Sequence, residues 1–456
     1  MKFIEFDWGP GRRVIGVTQN AFDRLGLSDH LPHYEIITGT DDTWHDYLRT
    51  KGVSVTPCGM DRAVNVSDLL EGVCVRDYVV QLKNEGITPL FLITNITGKV
   101  QSLAEKLGVP LLANPVSFRR LFENKAGVRE IDSLQALFPR FDIQHRSQLL
   151  EPERFEQLAS KFSLPFVVQN ESEQLSGSRG TAIIRSHQDY ETFFKHMHGR
   201  GGDRFVVSEY IAGQPYSVQG CITASGIYWG PIQRQIVSDL WLSLPGFSQF
   251  CGGVWGEAGL DEAAFYAIAN QIGAAMKQQG YKGIFGIDFL LSEDGKPYAI
   301  EVNARLTSMT PVLSMMQNKQ GIPPLLLLHV LEHARVPYAL HNQEEYRQKV
   351  QQSLPLSYVV LHNRRPYSVR NAGSFRSGIY TFEDGSLQYI RPGYILSDIR
   401  SESEILIPDV PDHSISTGRM LVRAVVPYHI WSLSQGLLPQ YEKLIEAIES
   451  YFEKVT

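Results

Sequence analysis

Two apolar runs, 284–291 and 297–302, flank Asp294-Gly295, the strongest short-range signal for a β-hairpin. A two-residue turn at that pair sets Asp288 directly opposite Glu301. Asn303, two residues beyond Glu301, then shares its face, because side chains along a strand alternate. Tyr298, Ile300 and Val302 are expected on the other face, in a core. Upstream, Phe265, Ile268, Ile272 and Met276 recur at helical spacing and predict a helix over 262–278, stopped by Gly280. Residues 325–333 read as a buried helix. A stripe of Tyr441, Leu444, Ile445, Ile448, Tyr451 and Phe452 predicts a last helix from about residue 440.

Residues 1–117 alternate short strand-like runs (13–17, 34–37, 90–94, 111–112) with helical ones (79–85, 100–107). That alternation implies a parallel α/β domain, and no GxGxxG marks it as a dinucleotide site. Helical runs at 117–125 and 152–162 follow. Strands at 164–169 and 182–185 then bracket a Ser/Gly-rich loop, whose glycines free backbone N–H groups suited to phosphate oxygens. Strands are also expected at 205–211 and 227–237. Beyond residue 346 the pattern turns β-rich, with Asp384-Gly385 and Pro392-Gly393 as punctuation. The chain is thus an α/β protein with expected domains 1–117, 118–345 and 346–456.

The 456 residues are 43% hydrophobic and 20% charged, with a net charge of −6. This is an ordinary globular composition, and no basic patch points to nucleic acid. Cys58, Cys74, Cys221 and Cys251 form no CxxC and read as reduced thiols. The N-terminus has acids where a leader needs an apolar core, and no apolar run is long enough to span a membrane. A cytoplasmic enzyme with small-molecule partners is expected, with a homodimer left open.

Opposed like charges on a sheet are destabilising unless something neutralises them. Two carboxylates and an amide carbonyl are oxygen ligands of the kind magnesium takes. Asp288, Glu301 and Asn303 are therefore the candidate metal ligands, and Arg305 at the strand end could reach a phosphate.

In this order the pieces resemble the ATP-grasp superfamily of carboxylate–amine ligases, over roughly residues 118–310. Asp288 followed by Glu301-Val302-Asn303-Ala304-Arg305 is similar to the family's acidic residue and Glu-x-Asn-x-Arg. The resemblance implies an α+β ATP-grasp fold with a nucleotide-covering subdomain at about 155–210. It implies ATP and magnesium, with manganese as the alternative ion, and makes Arg305 a stabiliser of the transferred phosphoryl group. Ser208-Glu209-Tyr210-Ile211 matches the linker that holds adenine, through the Glu209 C=O and the Ile211 N–H. Lys125 matches the first nucleotide-binding lysine, and 176–181, with Ser176, Gly177 and Ser178, the loop covering the phosphates. Gln169 stands where the family usually has a second lysine, and Arg179 is the candidate to supply that charge. Pro215 stands where a ribose-binding Glu is common, in the segment that ends at Ser217. Gln233 and Arg234, as a pair suited to a carboxylate, and the hydroxyls of Thr307 and Ser308 are candidates for the substrate side. A weaker likeness is to the peptide-ligase branch of natural-product pathways. The implied reaction joins a carboxylate to an amine through an acyl phosphate. Its rivals are a biotin-carboxylase-like reaction with bicarbonate and a non-catalytic ATP-binding sensor.

Overall fold

A computed structural model describes residues 3–39, 44–60, 65–172, 180–244, 249–411, 413–432 and 434–455. The N-terminal region is a four-stranded parallel sheet in the order Ser54–Pro57, Glu35–Thr38, Arg12–Val17, Thr88–Leu92. Helices Val73–Asn84 and Gly98–Leu107 bury Val75, Val79, Val100 and Ala104 against it. Cys58 and Cys74 are joined in a disulfide, which corrects the expectation of four thiols. Their positions follow from topology: one lies just past a strand, the other begins a helix, and the crossover brings their Cα atoms to 5.6 Å. Spacing along the sequence does not reveal that. Cys221 and Cys251 are buried and free.

Two antiparallel sheets follow. The smaller has the order Phe141–His145, Arg204–Glu209, Phe166–Asn170, Thr181–Ile184. Strand Phe166–Asn170 alternates: Phe166 and Val168 are buried, while Val167 and Gln169 face a cleft. Helices Arg154–Phe162 and His187–His196 cover the apolar face through Phe155, Leu158, Tyr190 and Phe194.

The larger sheet runs from Pro297–Asn303 through Gly283–Ser292, Gly213–Ile222, Gln233–Val237 and Phe250–Trp255. It continues without a break into Leu356–His362 and Met420–Val426 of the C-terminal region. Strands on both sides of residue 346 thus belong to one sheet. The run at 227–237 is two strands, Ile227–Trp229 and Gln233–Val237. Helix Glu262–Gln278 packs Phe265, Ile272 and Met276 onto this sheet's Phe285, Ile287 and Phe289. Helix Leu325–Ala334 is buried from Leu325 through Leu331, and the last helix spans Pro439–Ser450. Among the described residues no helix is long and apolar enough to cross a membrane.

The join between the two halves of the large sheet depends on Gly252. Its φ is +130°, and a Cβ there would lie 1.9 Å from the carbonyl oxygen of Tyr358 on the paired strand. Gly252→Ala is expected to cost about 2 kcal/mol or more in strain and displaced pairing, read as a lowered thermal midpoint. An unchanged midpoint would mean these strands are not so closely paired.

The same dipeptide makes two different turns. At Asp384-Gly385 both residues have positive φ, and Glu383 pairs with Ser386 in the expected two-residue hairpin. At Asp294-Gly295 only Gly295 does, at +81°. Ser292 N–H donates to the Lys296 carbonyl at 3.0 Å, and Gly295 N–H to that of Ser292 at 2.9 Å, so the loop has three residues. That alone shifts the register by one. A bulge at Ile300 shifts it back, and Asp288 does face Glu301. Below the bulge the expected faces are exchanged. Ala299 is fully buried, Tyr298 is half-exposed under Lys296, and Ile300 lines the cleft. Val302 is in the core as expected.

Candidate functional site

The cleft lies between the two antiparallel sheets and encloses about 590 Å³. Its roof is the cleft-facing side of the small sheet, with Val167, Gln169 and Thr181. Its floor is the polar face of the large sheet. The chain passes from one sheet to the other at 210–212, and Glu209, Tyr210 and Ile211 line the cleft there.

Across the floor, Gln233, Ser217, Asp288 and Glu301 form one row over four adjacent strands. Gln219, Gly286 and Asn303 form the next row, two residues further from the linker. Asp288 accepts hydrogen bonds from Gln235 Nε2 and Asn303 Nδ2, each at 3.0 Å. Burial, then the nearby charge of Glu301, pushes its carboxyl up to about 7, against those two hydrogen bonds. Lys125 Nζ lies 3.6 Å from Glu301 Oε1. Arg305 donates to Asn303 Oδ1 at 2.9 Å and lies 3.4 Å from Glu123 Oε1.

This donor set fits a divalent cation. Two carboxylates and an amide sit side by side on a sheet face, and burial, then the other's charge, disfavours the ionised form of Asp288. A cation relieves both problems. Among the described residues no group of three His, Cys, Asp or Glu side chains gathers, so the remaining ligands would come from a phosphate and water.

The candidate residues distribute as follows. Gln169, Glu209, Tyr210, Ile211, Ser217, Gln233, Asp288, Glu301, Asn303, Arg305, Thr307 and Ser308 all line the cleft. Lys125 reaches it through Glu301. Ser176, Gly177, Ser178 and Arg179 lie outside the described residues. Arg234 is a correction. As the immediate neighbour of Gln233 it points to the opposite face of its strand, where it pairs with Glu257 and donates to Tyr216 Oη at 2.8 Å. It does not line the cleft; adjacent strand residues cannot share a face.

Alternation would instead have led from Gln233 to Gln235, which touches Asp288, and from Ser217 to Gln219. Two further residues were missed. Glu123 is buried and takes Arg119 Nε at 2.8 Å on the side opposite Arg305; its signal is the Arg119/Glu123 spacing of four on a helix. Arg129 is fully buried, donates to the carbonyls of Lys125 and Ile300, and lies over Phe138. Burial lowers its guanidinium to about 10 despite Glu301 nearby. No pattern around it announces that role.

Gln169 sits on the roof with its Nε2 3.5 Å from Thr181 Oγ1. Gln169→Lys would place a cation over the carboxylate row. It is expected to preserve or tighten ATP binding, by up to about tenfold, the scale of one charge-assisted contact. If neither Gln169→Lys nor Gln169→Ala moves the ATP dissociation constant, this strand does not roof the phosphates.

Residues 153–309 match the ATP-grasp domain family. No curated protein matches the chain in sequence. Similar solved structures span nearly its whole length. The biotin carboxylase domain dimer of Hydrogenobacter thermophilus 2-oxoglutarate carboxylase, in complex with MgADP, ADP and bicarbonate, is 15% identical with a TM-score of 0.60, covering 91% of this chain and 86% of that one. Carboxyaminoimidazole ribonucleotide synthase from Aspergillus clavatus, complexed with ATP, is 11% identical with a TM-score of 0.57, covering 97% and 99%. Phosphoribosylamine–glycine ligase from Thermotoga maritima is 14% identical with a TM-score of 0.53, covering 97% of each. The chain carries an ATP-grasp domain, and the fold it shares with these structures takes in the parallel sheet before that domain and the strands after it.

Proposed function

We propose that the protein is an ATP-dependent ligase that activates a carboxylate as an acyl phosphate and joins it to an amine, releasing ADP and phosphate. One observation carries the reading. Asp288, Glu301 and Asn303 stand together on the floor of a cleft between two sheets, with Arg305 and Lys125 as fixed cations beside them.

A carboxylate is a poor electrophile because oxide is a poor leaving group. Attack by its oxygen on the γ-phosphorus of ATP expels ADP and leaves a carbonyl carrying phosphate. The amine then attacks that carbonyl, phosphate departs with the former carboxylate oxygen, and the amine proton is lost. Asp288, Glu301 and Asn303 would hold magnesium, which supplies Lewis-acid neutralisation of the phosphates. Arg305 adds a charge that needs no reorganisation, since Glu123 and Asn303 already hold it. Glu209, Tyr210, Ile211 and Ser217 are assigned to the nucleoside and Gln169 to the phosphates. The cleft roof excludes water that would hydrolyse the intermediate.

The fold likeness to the Hydrogenobacter carboxylase favours a second reading, in which bicarbonate is the acid activated. Both readings form ADP, so the acid decides between them. With oxygen-18 in the carboxylate of the substrate acid, the label is expected in orthophosphate, with ADP as the product nucleotide. Turnover that needs bicarbonate alone selects the carboxylase. AMP with pyrophosphate, or unlabelled orthophosphate, refutes acyl-phosphate chemistry. Nucleotide binding without turnover on any acid selects a sensor.

A further inference from the structure

Beyond the carboxylate row, the cleft changes character. Moving away from the linker along strand Gly213–Ile222, Ser217 stands in the row of Asp288 and Glu301, and Gln219 in the row after it. Gln219 and Gln233 both line the cleft and are only 7% and 4% exposed. Each has one amide atom with no hydrogen-bond partner among the described residues: Gln219 Oε1, an acceptor, and Gln233 Nε2, a donor. A buried polar atom without a partner costs the desolvation of that group. Two threonine hydroxyls hold the other end of the Gln219 amide. Its Nε2 donates to Thr307 Oγ1 at 2.9 Å and to Thr310 Oγ1 at 2.7 Å, and Thr310 Oγ1 in turn takes the Thr307 N–H at 3.0 Å.

The cleft lining also includes the apolar side chains of Trp255, Met309 and Leu313. Among the described cleft-lining residues, the other charged side chains are Arg129 and Glu209 toward the linker and Asp288 and Glu301 in the row. Arg305 is the one left to serve this end. A single cation suits one carboxylate. It does not suit a phosphorylated or second acidic group, and no acid is left over to hold an ammonium.

We propose that this end of the cleft, on the ligase reading above, takes a carboxylic acid that is uncharged apart from its carboxylate and bears a neutral amide. The amide N–H is accepted by Gln219 Oε1, its C=O takes Gln233 Nε2, and an apolar side group packs on Trp255 and Leu313. The carboxylate lies toward Arg305 and the metal row, where the γ-phosphate arrives.

Four probes of one shape test this by calorimetry on the full chain loaded with MgADP, so that binding is read without turnover. N-acetylphenylalanine offers the amide. O-acetylphenyllactate lacks only the N–H, phenylalanine carries an ammonium, and N-acetylphosphotyrosine adds a phosphate. N-acetylphenylalanine is expected to bind at least about tenfold tighter than each of the others, the scale of one buried group left unpaired. Gln219→Met should bring the amide and the ester within about twofold of each other, and Gln233→Leu should weaken both equally, with ADP affinity unchanged in each variant. Equal or tighter binding of the phosphorylated or ammonium acid overturns the proposal, as does an amide preference that survives Gln219→Met, or no binding by any of the four. The ligase reading is read separately, from ADP release with an amine present. Selective acid binding without ADP release rejects that reading and leaves the subsite standing.

Discussion

Glu301→Gln is expected to lower ADP formation by about two to three orders of magnitude, or roughly 3–4 kcal/mol of transition-state stabilisation, with the fold intact. The amide keeps the shape of the side chain and one oxygen but removes the charge that magnesium needs. The prediction is sharp because the same change should not hurt stability. Glu301 is 37% exposed on its side chain, and Lys125 at 3.6 Å is its ion-pair partner among the described residues. The Lys125 side chain is only 12% exposed, so losing this partly sheltered pair costs on the order of 1 kcal/mol. Against it stands repulsion with Asp288, whose carboxyl is raised to about 7, first by burial and then by this charge. A carboxyl raised on folding makes the folded state bind more protons than the unfolded one. Its contribution therefore worsens as pH climbs from the ordinary aspartate range toward 7. Removing Glu301's charge lowers the Asp288 value and relieves that penalty at neutral pH. The metal-free variant should melt at the same temperature as the parent or slightly higher, while the rate collapses. A rate unchanged at saturating magnesium removes Glu301 from the metal site. A fall in rate that tracks a fall in melting temperature makes it a structural residue.

The floor of the site was legible because it rests on the shortest-range signals a sequence carries. Strand alternation and one turn dipeptide were enough to bring Asp288, Glu301 and Asn303 to one face. Yet the register came out right through two compensating departures. The turn holds three residues instead of two, and the bulge at Ile300 restores the offset. Neither is written in the apolar pattern, since Asp-Gly suits both turn types and Ile300 is as apolar as its neighbours. The price was Tyr298, assigned to the core and found half-exposed. Arg234 failed for a simpler reason: pairing it with Gln233 by chemistry ignored that neighbours on a strand diverge. What lay beyond reach was long-range. The disulfide between Cys58 and Cys74 needs the crossover. The union of strands Phe250–Trp255 and Leu356–His362 joins segments about a hundred residues apart, so the pattern of either segment alone does not show that one sheet runs through both.

Long-range contacts also explain why Arg305 should not act alone. Its guanidinium lies 3.4 Å from Glu123, which is gripped on its other side by Arg119 at 2.7 Å. Arg119 in turn donates to the Ile96 carbonyl at 2.9 Å and to Asn95, both in the N-terminal region. A continuous set of ion pairs and hydrogen bonds thus runs from the N-terminal region to the residue beside the metal row. Arg305→Ala is expected to reduce phosphoryl transfer by about a thousandfold, the lower end of what a transition-state arginine contributes. Glu123→Gln keeps the volume and loses the charge that orients Arg305, and should reduce kcat by about tenfold with KM for ATP little changed. The decisive comparison is the double variant. If Glu123 works by positioning Arg305, the double variant is no slower than Arg305→Ala within about twofold, because the second change removes nothing that remains. If instead the two losses multiply, Glu123 acts independently of the arginine, and the link from the N-terminal region to the metal row is packing alone.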